Sequence, residues 1–249
     1  MKDEPIVAIL KFVSCKEYAE DFVSGRFYAN DVKFFRDLEQ KTGVRGQGDA
    51  NELIYNISHA KFMAFDPKTN KVVFESTINS SARVFHRSDD FIPIVCFVGI
   101  KVSELVLVNE MEDVYEYKFP FSNDELEKME VKFGKYCIFI SPEALINRLQ
   151  ELNKRFAIKF EPIEYVDESD LSKAIAHFEG KIERFFFKDK DLSYQREYRL
   201  CIYDDMPANH VFEVSPFSEE EAKFFESSFL KVARIFQPKQ SETNLKSAE

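Results

Sequence analysis

Gln195, Glu197 and Arg199 follow one another at a two-residue spacing in the segment "SYQREYRLCIY", residues 193–203. On a strand, that period puts alternate side chains on one face. The spacing predicts Gln195, Glu197, Arg199, Cys201 and Tyr203 on one side, and Tyr194, Arg196, Tyr198, Leu200 and Ile202 on the other. The first row turns from polar to apolar along its length, as expected where one end of a strand lines a cleft and the other enters a core. Such a row offers definite chemistry. A carboxylate facing a developing sugar cation stabilises the transition state more than the ground state. An amide two residues away donates and accepts hydrogen bonds without adding charge. The plainer alternative is a surface strand whose Glu197 and Arg199 pair with neighbours.

Other stretches hold reactive types in less specific patterns. "GVRGQGD", residues 43–49, gathers three of the seven glycines. Glycines let backbone N–H groups converge on a phosphate, and Arg45 would add charge. The spacings of a P-loop and of a dinucleotide fingerprint are both absent, so a surface loop is the competing reading. Arg36 and Asp37 belong to the same region or form an ordinary helix-surface pair. "ARVFHRSDD", residues 82–90, brings His86 near Asp89 and Asp90. No Ser or Cys nucleophile accompanies it, and it reads as a turn with solvated charges. "EGK", residues 179–181, matches the Glu-x-Lys of metal-dependent nucleases but falls in a helical context and is set aside. The four cysteines and four histidines show no metal-ligand spacing. The cysteines read as reduced core thiols, and no metal is expected.

The elements that must position these residues alternate irregularly. Residues 5–13 read as a buried strand. "SCKE", with Ser14 and Glu17 at capping-box spacing, opens a helix that stops at Ser24–Gly25. "RFYAN" is a short strand, and Asp31 caps the next helix. Two strands join across the turn "DPKTN". "FIPIVCFVGIKV" is the most apolar strand, with Pro93 at its start or on an edge. Ser122 with Glu125, Ser141–Pro142, and Ser218 with Glu221 mark three further helix starts. Residues 157–166 and 210–214 are strands, and 169–187 is helical with a break near Gly180. The pattern predicts an α+β fold with a mixed, largely antiparallel sheet and flanking helices. Residues 1–237 are expected to form a single domain, with 238–249 as a disordered tail.

Composition limits the partners. The 249-residue chain is 45% hydrophobic, contains 27 phenylalanines and carries a formal charge of −10. That charge argues against non-specific binding to nucleic acid or to an anionic membrane. No segment has the character of a signal peptide or of a bilayer-spanning run, so a cytoplasmic protein is expected. The clusters "RFFFK" and "KFFESSF" read as core or as packing surface.

Gln195-x-Glu197 at the start of a late strand resembles the third motif of the ADP-ribosyltransferase fold, where Glu-x-Glu or Gln-x-Glu is typical. The order of "AILKFVSCKEYAEDFVSGRFYAN", residues 8–30, is similar to that fold's opening strand, helix and glycine-led strand. Lys11 stands where Arg or His is typical. "NSSARVF", residues 79–85, is the nearest counterpart of the middle motif, and a poor one. The resemblance implies that Glu197 is catalytic, that Gln195 orients the acceptor, and that Lys11, Tyr28, Arg45 and Arg199 contact the cofactor NAD. A second resemblance spans most of residues 9–203. "SGRFYANDVKFFRDLE", "RGQGDANE", "KFGKYCIFIS" and "YQREYR" are similar to an uncharacterised group of bacterial and phage-encoded proteins. It implies a setting of phage–host conflict and a protein partner or macromolecular acceptor, but no reaction. The alternative function is an acidic, non-enzymatic binding protein that inhibits a host or phage factor.

Overall fold

The apolar run Ile6–Val13 becomes the strand around which the main sheet is arranged. In the computed structural model, which describes residues 4–57, 61–77 and 82–239, seven strands form this sheet. In chain order they are β1 (Ile6–Val13), β2 (Asn30–Asp31), β3 (Pro93–Lys101), β4 (Tyr136–Ile140), β5 (Ile158–Pro162), β6 (Glu197–Ile202) and β7 (Ala222–Glu226). Their spatial order is β5-β6-β3-β1-β4-β7, with β2 also pairing β3. Every one of these pairings is antiparallel. A parallel pair, Glu164–Val166 with Phe187–Asp189, sits in a separate small sheet. The α+β class and the largely antiparallel sheet are therefore as expected.

Alternation along the strands builds two cores. Ile9, Phe97, Leu200 and Ile202 face Phe22 of α1 (Lys16–Val23) and Leu145, Leu149 and Leu152 of α4 (Pro142–Asn153). On the other face Leu10, Phe12, Val98 and Ile100 meet Leu126 and Met129 of α3 (Asn123–Phe133). Phenylalanine fills the first core by stacking: the Phe22 and Phe27 rings lie 4.6 Å apart, with Phe97 edge-on at 6.0 Å from Phe22. A third cluster joins Val32 of α2 (Val32–Thr42) to Ile94, Phe185 and Cys201.

Local signals fix several helix starts. Asp31 accepts from the Phe34 N–H, and Ser122 with Glu125 forms a reciprocal capping box. Pro142 is the first residue of α4, and Asp170 caps α5 (Leu171–Phe178). Two expected starts differ. Helix α1 begins after Cys15, without a side-chain cap. Glu17 is then its second residue, and the reciprocal Ser14–Glu17 geometry is lost. At Ser218, the N–H does donate to Glu221 Oε2 at 2.8 Å. The chain nevertheless continues into β7 and not into a helix, because Ala222–Glu226 gains a full ladder with β4.

The sheet is not closed everywhere. Strand β1 pairs with β3 only as far as Leu10 opposite Val98. Strand β2 takes the same edge of β3 at Ile94 and Pro93. Residues 95–97 between them pair with neither, while β1 runs on to Val13 along β4. This divergence opens a wedge in the middle of the sheet.

The periphery holds the expected hairpin, Lys61–Phe65 with Val72–Thr77. Residues 79–81 of the "NSSARVF" stretch lie outside the described residues, and Ala82–Val84 pairs with Tyr55–Ile57. The described residues run past the expected boundary at 237. Pro238 ends a strand, Arg234–Pro238, and the Lys239 N–H donates to the Asp113 carbonyl. The rest of the expected tail, residues 240–249, lies outside the described residues. No described helix is long and apolar enough to cross a membrane.

Candidate active site

Strand β6 starts at Glu197, three residues later than its sequence suggests. Lys190–Gln195 is a 3-10 turn, and Arg196 is left-handed at φ 45°. A non-glycine residue there is strained by about 1 kcal/mol and must be held. The Arg196 guanidinium is held by Glu104 at 3.2 Å and Glu125 at 3.3 Å. From Glu197 onward the alternation is as expected. Tyr198, Leu200 and Ile202 enter the first core, and Cys201 enters the third.

The wedge between β1 and β3 leads into a cavity of about 620 Å³. That is the size of a small-molecule site. Lys11, Tyr28, Gln195, Glu197 and Arg199 all line it. Lys11 reaches across the divergence, donating to the Cys96 carbonyl at 3.2 Å. Its ammonium lies 5.2 Å from the Phe97 ring centre and 5.8 Å from that of Phe22. No ion pair forms at Lys11 among the described residues. Burial pushes its pKa down, against the pull of Cys96 and Glu197.

A buried charge network forms the polar end. Arg199 is 0% exposed and Glu197 5%. The Arg199 guanidinium grips Glu52 with two donors, at 2.7 and 3.2 Å, and gives its Nε to Glu197 Oε1 at 3.0 Å. It also donates to the Phe185 carbonyl at 2.7 Å. Lys188 Nζ donates to Glu197 Oε2 at 2.5 Å and to Gln195 Oε1 at 3.2 Å. The Glu197 N–H donates to the Tyr165 hydroxyl at 2.8 Å, which fixes where β6 begins.

The electrostatics derive from these partners. Burial opposes ionisation of Glu197, but Lys188 and Arg199 outweigh it and bring the carboxyl down to about 2. Lys188 also loses hydration, yet Glu197 and Glu52 hold its pKa above the usual lysine range. Burial, with Glu197 next to it, pushes the Cys96 thiol up to about 12. Cys96 is thus a neutral donor to Glu197 rather than a nucleophile. Glu197 is an anion across the physiological range, suited to electrostatic stabilisation and unsuited to giving up a proton.

The expected residues divide. Gln195, Glu197, Lys11, Tyr28 and Arg199 meet at one cavity, although the donors of Arg199 are spent on protein groups. Arg45 is not among the cavity-lining residues. Its guanidinium, 52% exposed, pairs with Asp189 at 3.1 Å and Asp191 at 3.7 Å. The backbone of its loop approaches instead, with Gly46 and Gln47 lining the cavity. Gly48 permits this fold of the loop, since a Cβ there would lie 2.3 Å from the Phe35 carbonyl oxygen. Arg36 pairs with Asp90, and Arg184 holds Asp89 at 2.6 Å. The Asp89 carboxylate is therefore buried rather than solvated. Lys188, Glu52 and Tyr165 have no periodic signal in the sequence. Among the described residues no group of three or more His, Cys, Asp or Glu side chains is placed to hold a metal ion. No family model matches the chain, and no match is found among curated proteins or solved structures.

Proposed function

We propose that the chain is an ADP-ribosyltransferase-like protein that binds NAD in the wedge cavity. The observation carrying this reading is that an ionised Glu197 lines one small-molecule cavity together with Gln195 and Lys11. In the proposed reaction the ribosyl–nicotinamide bond breaks and its electron pair leaves with nicotinamide. The acceptor's lone pair forms the new bond to the ribose carbon, and the acceptor loses a proton. Glu197 faces the sugar cation that develops between these events, where a fixed anion in a dry site is most effective. Lys11, uncommitted to any carboxylate, suits an anionic part of the cofactor, and Tyr28 offers a ring at the cavity wall. The acceptor is a macromolecule, in the cytoplasmic phage–host setting that the sequence resemblance implies.

Incubation with labelled NAD and cell lysate should move label onto protein or nucleic acid. Glu197→Gln and Lys11→Met should each lose it while remaining folded by circular dichroism. Undiminished transfer by both variants would remove the cavity from the mechanism.

A second reading has its own support. The hairpin 61–77 leaves Phe62, Phe65, Val73 and Phe74 more than half exposed. Such apolar exposure suits a non-enzymatic protein that inhibits a host or phage factor by binding it.

A further inference from the structure

The loop 43–49 lies against the residue assigned to the acceptor side. The Gly46 carbonyl accepts from Gln195 Nε2 at 2.9 Å, while Gln195 Oε1 accepts from Lys188 at 3.2 Å. Both ends of the Gln195 amide are therefore engaged, and the residue is only 2% exposed. On the outer side, Arg45 clasps Asp189 and Asp191, close in sequence to Lys188. The loop keeps its own shape through the Gly46 N–H on the Gly48 carbonyl at 2.9 Å and the Asp49 N–H on the Phe35 carbonyl at 3.1 Å.

We propose that residues 43–49 form a strap across the acceptor side of the candidate site, latched by Gln195 and Arg45, and that a second substrate reaches Gln195 only by displacing it. This rests on reading Glu197 and Gln195 as the working pair. The two latches differ in kind. The inner one is a buried amide–carbonyl bond, so an incoming group must present a carbonyl or hydroxyl oxygen to replace Gly46. A purely apolar acceptor would leave the Gln195 amide unpaired. The outer latch is exposed, weak and screened by salt. Once an incoming oxygen replaces the inner bond, the weak outer latch and the loop's own backbone bonds are what oppose opening, while the sheet beneath stays formed.

Hydrogen exchange on the full chain tests the strap without any catalysis. Arg45→Ala should speed exchange at the Gly46 and Asp49 amides about threefold, as expected from loss of an exposed ion pair, with β1 and β6 unchanged. Unaltered exchange at those two amides, or equal acceleration throughout the protein, would overturn the strap. Labelling from NAD adds a second readout. Faster transfer by Arg45→Ala supports the strap, whereas a loss as complete as that of Glu197→Gln overturns it by making Arg45 part of the binding site. Absence of transfer by the wild type counts against the proposed reaction, and the exchange rates still decide the strap.

Discussion

Lys188 Nζ lies 2.5 Å from Glu197 Oε2, and both side chains are buried. The carboxylate most suited to chemistry is thus also tied into a buried charge network with Lys188 and Arg199. Removing one partner of such a pair leaves an uncompensated buried charge, which costs roughly 3–5 kcal/mol. Glu197→Gln and Lys188→Met should each destabilise the protein by about that much in urea denaturation. The double variant should lose clearly less than the sum, because neither charge is then stranded against the other. Additive losses would show that the pair is not coupled.

Lys11 should behave in the opposite way. It sits over Phe22 and Phe97 without a carboxylate partner. Lys11→Met removes a poorly hydrated ammonium and keeps the volume, at the loss of one hydrogen bond to the Cys96 carbonyl. Stability should change by no more than about 1 kcal/mol. Affinity for NAD, measured by calorimetry, should fall at least about tenfold, as expected for loss of a charge-assisted contact. Unchanged affinity would exclude Lys11 from the site.

Acid should act on two groups with opposite sign. Glu197 titrates near 2 when folded and near 4.5 in an unconstrained chain, so its stabilisation is full above 4.5 and is lost on acidification toward 2. Burial, reinforced by Glu52, raises Asp49 from 3.8 to about 6. Its burden is full above about 6 and is relieved as pH falls toward 3.8. Asp49→Asn, which retains an acceptor for the Asn51 N–H, should stabilise the protein at pH 8 and flatten the slope between pH 4 and 6. A variant with the wild-type slope would show that Asp49 is not the titrating group.

Gly48→Ala tests the packing of the loop on α2. An added Cβ would meet the Phe35 carbonyl oxygen at 2.3 Å and the Glu39 nitrogen at 2.6 Å. Both are backbone atoms, so the loop itself must move, at a cost of about 1–3 kcal/mol. The melting temperature should fall accordingly. An unchanged value would mean that the loop does not rest on the helix in solution.

The parts of this molecule legible in the sequence are those governed by neighbours in the chain. Asp31 and Ser122 reach N–H groups three residues away, so their caps can be read directly. The row Glu197, Arg199, Cys201 follows from the pleat alone. Gln195 joins Glu197 at the cavity for another reason: Arg196 turns left-handed between them, and no spacing rule anticipates that. Lys188 reaches the site from the short strand Phe187–Asp189, and Glu52 meets Arg199 across 147 positions of sequence. Pairings at that distance leave no local trace. Charge counting is equally blind to partners. Glu221, which reads only as a capping partner of Ser218, is also held by Arg148 at 2.7 Å.

The wedge brings together Lys11, Glu52, Cys96, Lys188 and Glu197, which are spread over most of the chain. A ribosome delivers these residues in order, and Glu197 is made 186 positions after Lys11. Until then β3 has no β6 beside it, and Arg199 is not there to meet Glu52. A growing chain therefore carries β1 and its lysine long before it carries a site. Nascent protein would be inert toward the cofactor, and any activity would switch on late, when the segment 188–202 docks.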